Sequence, residues 1–348
     1  MIEEVNPMEK IITLCILINL LHFINFRICW AQAPTRLELK ATKISEKWGE
    51  RIRVDRMGNI YILNSQQHGI FVLNPDYSFN RTIGGFGQGP AEFNLPVDFD
   101  LDSLGNIYLV DRFNRRLQKL SNTGKYLDEV SSNPTVMSIA VSTAEKIFIN
   151  DTQNNGILSR VDFSGKNFDS FGKYRNLDFL DPMIATIHES KDRGRLSRGF
   201  QQALNEAIVR LDTSGNFYVL FFSAPILRKY NPAGELVFET GFSSPNLISL
   251  IEESRRSLKA KILARQVVYD VLSQDFCIDP INGTIYITTT ADAPGCFVFN
   301  ADGKLIKEIN LFTEDNNQLD PVGIYYYGTE RWIVSNVKGT FIFTVKDQ

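Results

Sequence analysis

Residues 84–118 read GGFGQGPAEFNLPVDFDLDSLGNIYLVDRFNRRLQ, and this stretch decides the fold. A glycine-rich crossing leads to Pro96 and a short alternating strand. A Gly-Asn turn at Gly105 follows, then a second strand ending at Asp111 and a polar loop. The same grammar returns, degraded, along the chain, so the chain is organised as repeats.

Four turns carry the grammar: Asp55 to Asn59, Asp102 to Asn106, Asp212 to Asn216, and the looser Asp279 to Thr284. Aspartate bonds its own backbone at such turns, and glycine supplies the positive φ at the exit. Each is followed by an alternating strand: Ile60 to Leu63, Ile107 to Val110, Phe217 to Leu220 and Ile285 to Thr288. Ile147 to Asn150 follows a weaker turn near Glu145. A second turn comes nineteen or twenty residues after the first, as from Gly105 to Gly124, Gly215 to Gly234 and Gly283 to Gly303. Each unit is therefore two β-hairpins, giving four antiparallel strands a to d. Six units fit, with a–b turns near residues 58, 105, 145, 215, 283 and 330.

The sixth unit runs out of chain after its strand c, Gly339 to Val345. Thr35 to Ala41 alternates and belongs to no hairpin. A radial array protects its sheet edges only when the ring is closed. The expected fold is all-β: a six-bladed β-propeller of four-stranded antiparallel blades, in which residues 35–41 supply the missing strand.

The chain resembles the NHL-repeat family of six-bladed β-propellers, in an exported form of bacterial type. The resemblance is carried by GGFGQGPAEFNLP (84–96), DSLGNIYLVD (102–111), FNRRLQ (113–118) and TGKYL (123–127). It is specific in unit two, weaker in units three and six, and with gaps covers most of residues 35–348. It implies a recognition scaffold, in which the Asp-x-x-Asn-x-Arg pattern of residues 111–116 shapes the loop. Some six-bladed propellers that the chain resembles are lyases or metal-dependent hydrolases working around the channel.

Two insertions break the period, at about residues 174–206 and 243–266. In the second, Leu247, Ile251, Leu258 and Ile262 have helical spacing, with Glu252, Glu253, Arg255, Arg256, Lys259 and Lys261 on the remaining face. The first holds Ile184 and Ile187, then the polar HESKDRGRLSRG (188–199), then FQQALNEA (200–207), which reads as helical. Both insertions join a strand d to the next strand a, so they lie on the face opposite the tight glycine turns. Long loops on a rigid scaffold are where binding residues concentrate, so this is the expected working face, with the insertions as a partial lid or docking surface.

The formal net charge of −3 gives no basic field for nucleic acid. Ile11 to Phe26 is a mostly apolar run after Lys10, short for a membrane span and interrupted by Asn19, His22 and Asn25. With Ala31 and Ala33 behind it, it reads as a secretory signal peptide covering residues 1–31, with translation starting at Met1 or Met8. The expected product is a single domain, residues 32–348, in the periplasm or outside the cell, with no integral span after cleavage. An uncleaved membrane anchor is the alternative. Export permits disulfides, but one strand separates Cys277 from Cys296, too far to bridge. Two free buried thiols are expected.

The recurring turn aspartates and the Gly84–Gly89 run read as scaffold, since no Gly-Lys-Ser/Thr and no helix follow the glycines. Histidine is too sparse for a zinc site, and no Gly-x-Ser-x-Gly occurs. No cofactor or metal ligand set is expected, and a channel-bound calcium or other divalent ion stays open. The b–c loops supply the candidate ligand-binding residues Arg112, Asn114, Arg115, Arg116, Asp151 and Asn154, joined by His188 of the first insertion. Arginines there suit a carboxylate or sulfate. The expected function is a binding or interaction module for a protein, a glycan or a small ligand. The alternative is a propeller lyase or metal-dependent hydrolase using Asp98, Asp151, Asp275, Arg112 and Tyr325.

Overall fold

The structure is a computed structural model. It describes residues 34–345 except 143–145, 154–155, 164–166, 179, 188–189, 291–294 and 329–330. The leader, Asn154, His188 and part of the turns near 145 and 330 lie outside the described residues. Among the described residues no helix is long and apolar enough to cross a membrane.

Six antiparallel blades surround an axis. Blade one is Arg51–Val54, Ile60–Asn64, Gly69–Leu73 and Phe79–Gly84. Blade two is Pro96–Leu101, Ile107–Asp111, Arg116–Leu120 and Tyr126–Ser131. Blade three is Ser138–Val141, Ile147–Asn150, Leu158–Val161 and Asn167–Phe171. Blade four is Ala207–Leu211, Phe217–Phe221, Ile226–Tyr230 and Leu236–Gly241. Blade five is Ser273–Ile278, Ile285–Thr289, Cys296–Phe299 and Leu305–Thr313. Blade six has Gly323–Tyr326, Arg331–Asn336 and Gly339–Thr344. Cys277 and Cys296 are free and buried, with the second strand of blade five between them.

The turn grammar is visible as bonding. In the first turn, Asp55 Oδ1 accepts from the Met57 and Asn59 amides, while Oδ2 accepts from the Asn59 side chain and the Tyr61 hydroxyl. Asp102 does the same with Leu104, Asn106 and Tyr108, and Asp212 with Ser214, Asn216 and Tyr218. These aspartates are consumed by their own turns. The glycine-rich crossing is also scaffold. Gly84 sits at φ +91°, and a Cβ there would fall 2.1 Å from the Phe93 ring. That close approach lets Phe93 be fully buried between blades one and two, against Leu63, Ile70, Phe99 and Leu109.

The N-terminal strand Thr35–Ser45 closes the ring, but not with the expected residues. Thr42, Lys43 and Ser45 pair antiparallel with Ile342, Phe341 and Thr340 as the fourth strand of blade six. Residues 35–41 instead run parallel to Lys307–Thr313, as a fifth strand on blade five. The reason is the neighbouring edge: the nine-residue outer strand of blade five, Leu305–Thr313, offers its last seven residues to Thr35–Ala41, and the chain passes to it ahead of Thr42. One strand thus welds blades five and six into a single sheet. Just beyond it, Thr340 Oγ1 donates to the Lys47 carbonyl at 2.7 Å, and Ser335 Oγ donates to the Gly49 carbonyl.

The insertions form a cap of three helices: α1 (Leu180–Ile184), α2 (Ser190–Ala203) and α3 (Pro245–Leu263). The α3 helix starts with Ser244 as N-cap, its side chain accepting from the Leu247 amide, and with Pro245 in the first turn. In the first insertion the helix begins ten residues earlier than expected and stops short of Ala207, which opens blade four. The polar run of α2 hides one apolar stripe, Leu196 and Phe200, continued by Leu204 just past its end. This stripe packs with Leu177, Leu180, Ile184 and Ile187 against Leu258 and Ile262 of α3. Arg265 binds Asp192 at 3.0 Å across the two insertions. The cap is therefore one packed unit, with its own small core.

Two truncations separate the roles of the N-terminal strand. A chain beginning at Thr42 loses only the parallel extension and should unfold near the temperature of the chain beginning at Thr35. A chain beginning at Lys47 leaves blade six with an open edge. It should lose roughly 3 kcal/mol or more in urea unfolding, with a broadened transition. Equal losses in the two truncations would contradict this division.

Candidate functional site

The innermost strands carry charged side chains toward the axis, where they meet. Asp98 of blade two is fully buried. Its carboxylate lies 3.6 Å from Arg51 Nε, 3.3 Å from Arg53 Nη2 and 3.0 Å from Arg210 Nη1. It also accepts from Ser138 Oγ at 2.5 Å and from the Ile139 amide at 3.2 Å. Arg210 reaches on to Asp275 of blade five at 2.9 Å, and Asp275 accepts from the Ile324 amide of blade six at 3.4 Å. Arg53 holds Asp100 at 3.1 Å, and Arg51 donates to the Gln274 carbonyl at 3.0 Å. All six blades contribute to this network, in which three arginines balance three aspartates.

The balance fixes the protonation states. Burial by itself would raise Asp98, but Arg210, Arg53 and Arg51, with the Ser138 hydroxyl, outweigh it and leave the carboxyl below its usual range. Burial would lower Arg210, yet Asp98, Asp275 and Asp100 together raise it above the ordinary arginine value. Burial raises the phenol of Tyr325. Sequence reasoning named Asp98, Asp275 and Tyr325 as channel candidates, and the structure does bring them to the axis. It also surrounds both aspartates with guanidinium and amide donors, which suits a structural clasp better than proton transfer at neutral pH. Among the described residues no cluster of three or more His, Cys, Asp and Glu side chains has a metal-holding arrangement.

A second assembly lies on the insertion face. An open cleft of about 520 Å³ is bounded on the cap side by Arg195, Arg198, Gly199, Gln202 and Ala203 of α2, and by Val267. Thr135 and Glu206 bound it on the blade side. Glu206 is nearly buried; it accepts from the Tyr269 hydroxyl at 2.7 Å and lies 3.7 Å from Arg112 Nη2. Burial raises the Glu206 carboxyl, against the smaller opposing effects of Tyr269 and Arg112. Tyr269 is itself raised well above its ordinary value, by burial first and then by Glu206. A buried acid with a raised pKa beside a cleft marks a place where function concentrates.

The predicted loop residues divide around this cleft. Arg112 reaches Glu206 behind the cleft wall, with Nε donating to the Pro134 carbonyl at 3.0 Å. Asp151 lies beneath it, accepting from Thr135 Oγ1 at 3.1 Å and Asn133 Nδ2 at 3.0 Å. Arg115 is exposed on the same loop, at φ +55°. Asn114 and Arg116 turn inward. Asn114 Nδ2 donates to Asp111 and the Gly87 carbonyl, both at 2.8 Å. Arg116 binds Asp111 at 2.9 Å, Glu129 at 2.8 Å and the carbonyls of Gly89 and Glu92. These two tie the loop to the glycine-rich crossing. Sequence reasoning missed Arg195, Arg198, Glu206 and Tyr269, since nothing in their spacing connects the two insertions. It also missed Arg51, Arg53 and Arg210, although each follows the a-strand pattern and could have been matched with Asp98.

Comparison with known proteins agrees with the architecture. Residues 47–188 match the model of a family described as a 6-bladed beta-propeller. NHL repeat-containing protein 3 of Homo sapiens and of Mus musculus are each 35% identical over 78 residues, which is 21% of this chain and 22% of theirs. The chain thus matches about a fifth of the length of these relatives. Among solved structures, virginiamycin B lyase from Staphylococcus aureus superposes with a TM-score of 0.51 at 11% identity, covering 85% of this chain and 80% of that one. A streptogramin B lyase gives 0.52 at 14% identity, covering 84% and 77%. A protein of unknown function from Bacteroides thetaiotaomicron gives 0.52 at 11%, covering 88% and 75%. At such identities the likeness shows the fold.

The axial clasp gives a direct test. Asp98→Asn leaves three buried guanidinium groups short of one charge, and should cost about 3–5 kcal/mol in urea unfolding. Because the folded pKa of Asp98 lies below its unfolded value, its contribution is full above the unfolded pKa and is lost as pH falls through the folded one. Asp98→Asn should therefore flatten the acid limb of the stability–pH curve, whereas an unchanged limb would argue against the clasp. The chain is a six-bladed β-propeller that resembles the NHL-repeat proteins over part of its length.

Proposed function

We propose that the chain is a binding module whose working surface is the cleft between the helical cap and blades two to four. The observation that carries this reading is the meeting of Arg195, Arg198 and the buried Glu206 on one cleft, with Arg112 3.7 Å behind Glu206, formed only when both insertions pack together. The β-propeller fold supports an interaction module in general, though a fold by itself does not define a function. The arginines suit a partner that presents carboxylate or sulfate groups, such as an acidic protein segment, an acidic glycan or a small anionic ligand. Val267 adds apolar contact at the same wall.

The leader motivates a companion proposal, that the chain is exported and cleaved after Ala31. N-terminal sequencing of the protein recovered outside the cytoplasm should then begin at Gln32. An intact leader on membrane-bound protein would favour the anchored form.

For the cleft, the mature protein and an Arg195→Glu/Arg198→Glu variant should be immobilised side by side and exposed to extracts of the producing cell. The captured partner should then be titrated against both. Charge reversal should weaken binding at least about tenfold, or 1.4 kcal/mol, with a smaller salt dependence in the variant. Equal affinity for the two proteins would exclude the cleft as the working surface.

A further inference from the structure

The seam between blades three and four holds a second concentration of positive charge, outside the cleft. Arg175 opens the first insertion, and Arg228 lies on the third strand of blade four. Both guanidinium groups lie over the Phe221 ring, at 4.9 and 5.1 Å from its centroid. Arg228 is satisfied, donating to Glu239 Oε2 at 2.5 Å, to the Lys173 carbonyl and to the Tyr230 hydroxyl at 3.3 Å. Arg175 is not. Its Nη1 is shut off from solvent and has no hydrogen-bond partner among the described residues. Its backbone amide donates to Asn205 Oδ1 at 2.8 Å, which fixes the chain here.

Two guanidinium groups therefore share one carboxylate, Glu239, and one charge stays uncompensated. Burial pushes Arg175 down to about 10, with Arg228 acting in the same direction and Glu239 against it. The group is still a cation at neutral pH, and a half-buried cation with one donor shut off from water and no counter-ion of its own is costly. A bound anion removes that cost. Arg175 and Arg228 stand on different elements and offer donors from two directions. A tetrahedral ion presents oxygens in more than one plane and so can meet donors from both elements.

We infer that Arg175 and Arg228 form a binding site for a tetrahedral oxyanion, sulfate or phosphate, either free or carried as an ester on a larger ligand. The site does not depend on the cleft reading, since it uses none of the cleft arginines.

The test uses the whole mature protein. Thermal unfolding and titration calorimetry are run with sodium sulfate and sodium phosphate, against sodium chloride at equal ionic strength, and with glucose 6-phosphate as an ester. The expected result is a rise in unfolding temperature beyond that in chloride, with a saturable isotherm. In Arg175→Gln that binding should fall at least tenfold, while Arg175→Lys keeps a weakened form. Without oxyanion, Arg175→Gln should unfold no earlier than the parent, because it removes an uncompensated charge. An ester that binds more tightly than the inorganic ions identifies a carried group, and the reverse identifies a free ion. The Arg195→Glu/Arg198→Glu variant should retain the isotherm, which separates this site from the cleft. The proposal is overturned if the parent shows no oxyanion-specific effect, or if Arg175→Gln retains it in full.

Discussion

The Asp98 carboxylate, buried where the innermost strands converge, is the interaction on which the rest of the structure depends. Arginines of blades one and four bind it, as do the Ser138 hydroxyl and Ile139 amide of blade three. Through Arg210 and Asp275 the same network reaches blades five and six. Such a cluster is not a large net source of stability, because desolvating six ionised groups offsets most of their attraction. Its effect is geometric. Each guanidinium has its partners only when neighbouring blades hold their correct rotation, so the clasp penalises every other arrangement. It also fills the axis with balanced charge.

At the perimeter the constraint is the sheet edge. A ring of blades is protected only when closed, and here one strand does this for two blades. The residues ahead of Thr42 are used on blade five, in parallel register with its outer strand. Between the axis and the perimeter, the apolar faces of successive blades pack as in blades one and two, where Phe93 from the crossing fills the gap that Gly84 leaves. The cap is a separate layer. Its apolar contacts join the two insertions to each other, and it leaves a polar, arginine-bearing cleft toward the blades.

Much of this was legible in the chain. Turn chemistry is local: an aspartate that binds the amides two and four residues onward leaves a signature at fixed spacing, so the hairpins, their count and the face bearing the insertions follow from Asp55, Asp102 and Asp212. The α3 helix is legible too, through Leu247, Leu258 and Ile262. The α2 helix is not, because Gly194, Gly199 and its many charges mask the stripe from Leu196 to Leu204, which becomes apolar only against α3. In the same way, the run from Arg112 to Arg116 gives no sign of which members face outward. Arg116 and Asn114 bond to Asp111 and to the crossing, while Arg112 reaches Glu206, more than ninety residues away.

Sequence alone determined the repeating hairpins, the six units and the need for an N-terminal closing strand, because hydrogen-bonded turns and alternating strands are encoded within a few residues. Tertiary structure decided the rest. The exact closing residues depend on the edge that the outer strand of blade five offers to residues 35–41. The axial clasp depends on side chains from six blades meeting at one point. The cleft depends on two insertions far apart in the chain packing side by side, and the Arg175–Arg228 pair on the first insertion lying against blade four. These are long-range relations between charges and surfaces, and no local pattern records which arginine finds a carboxylate and which is left without one.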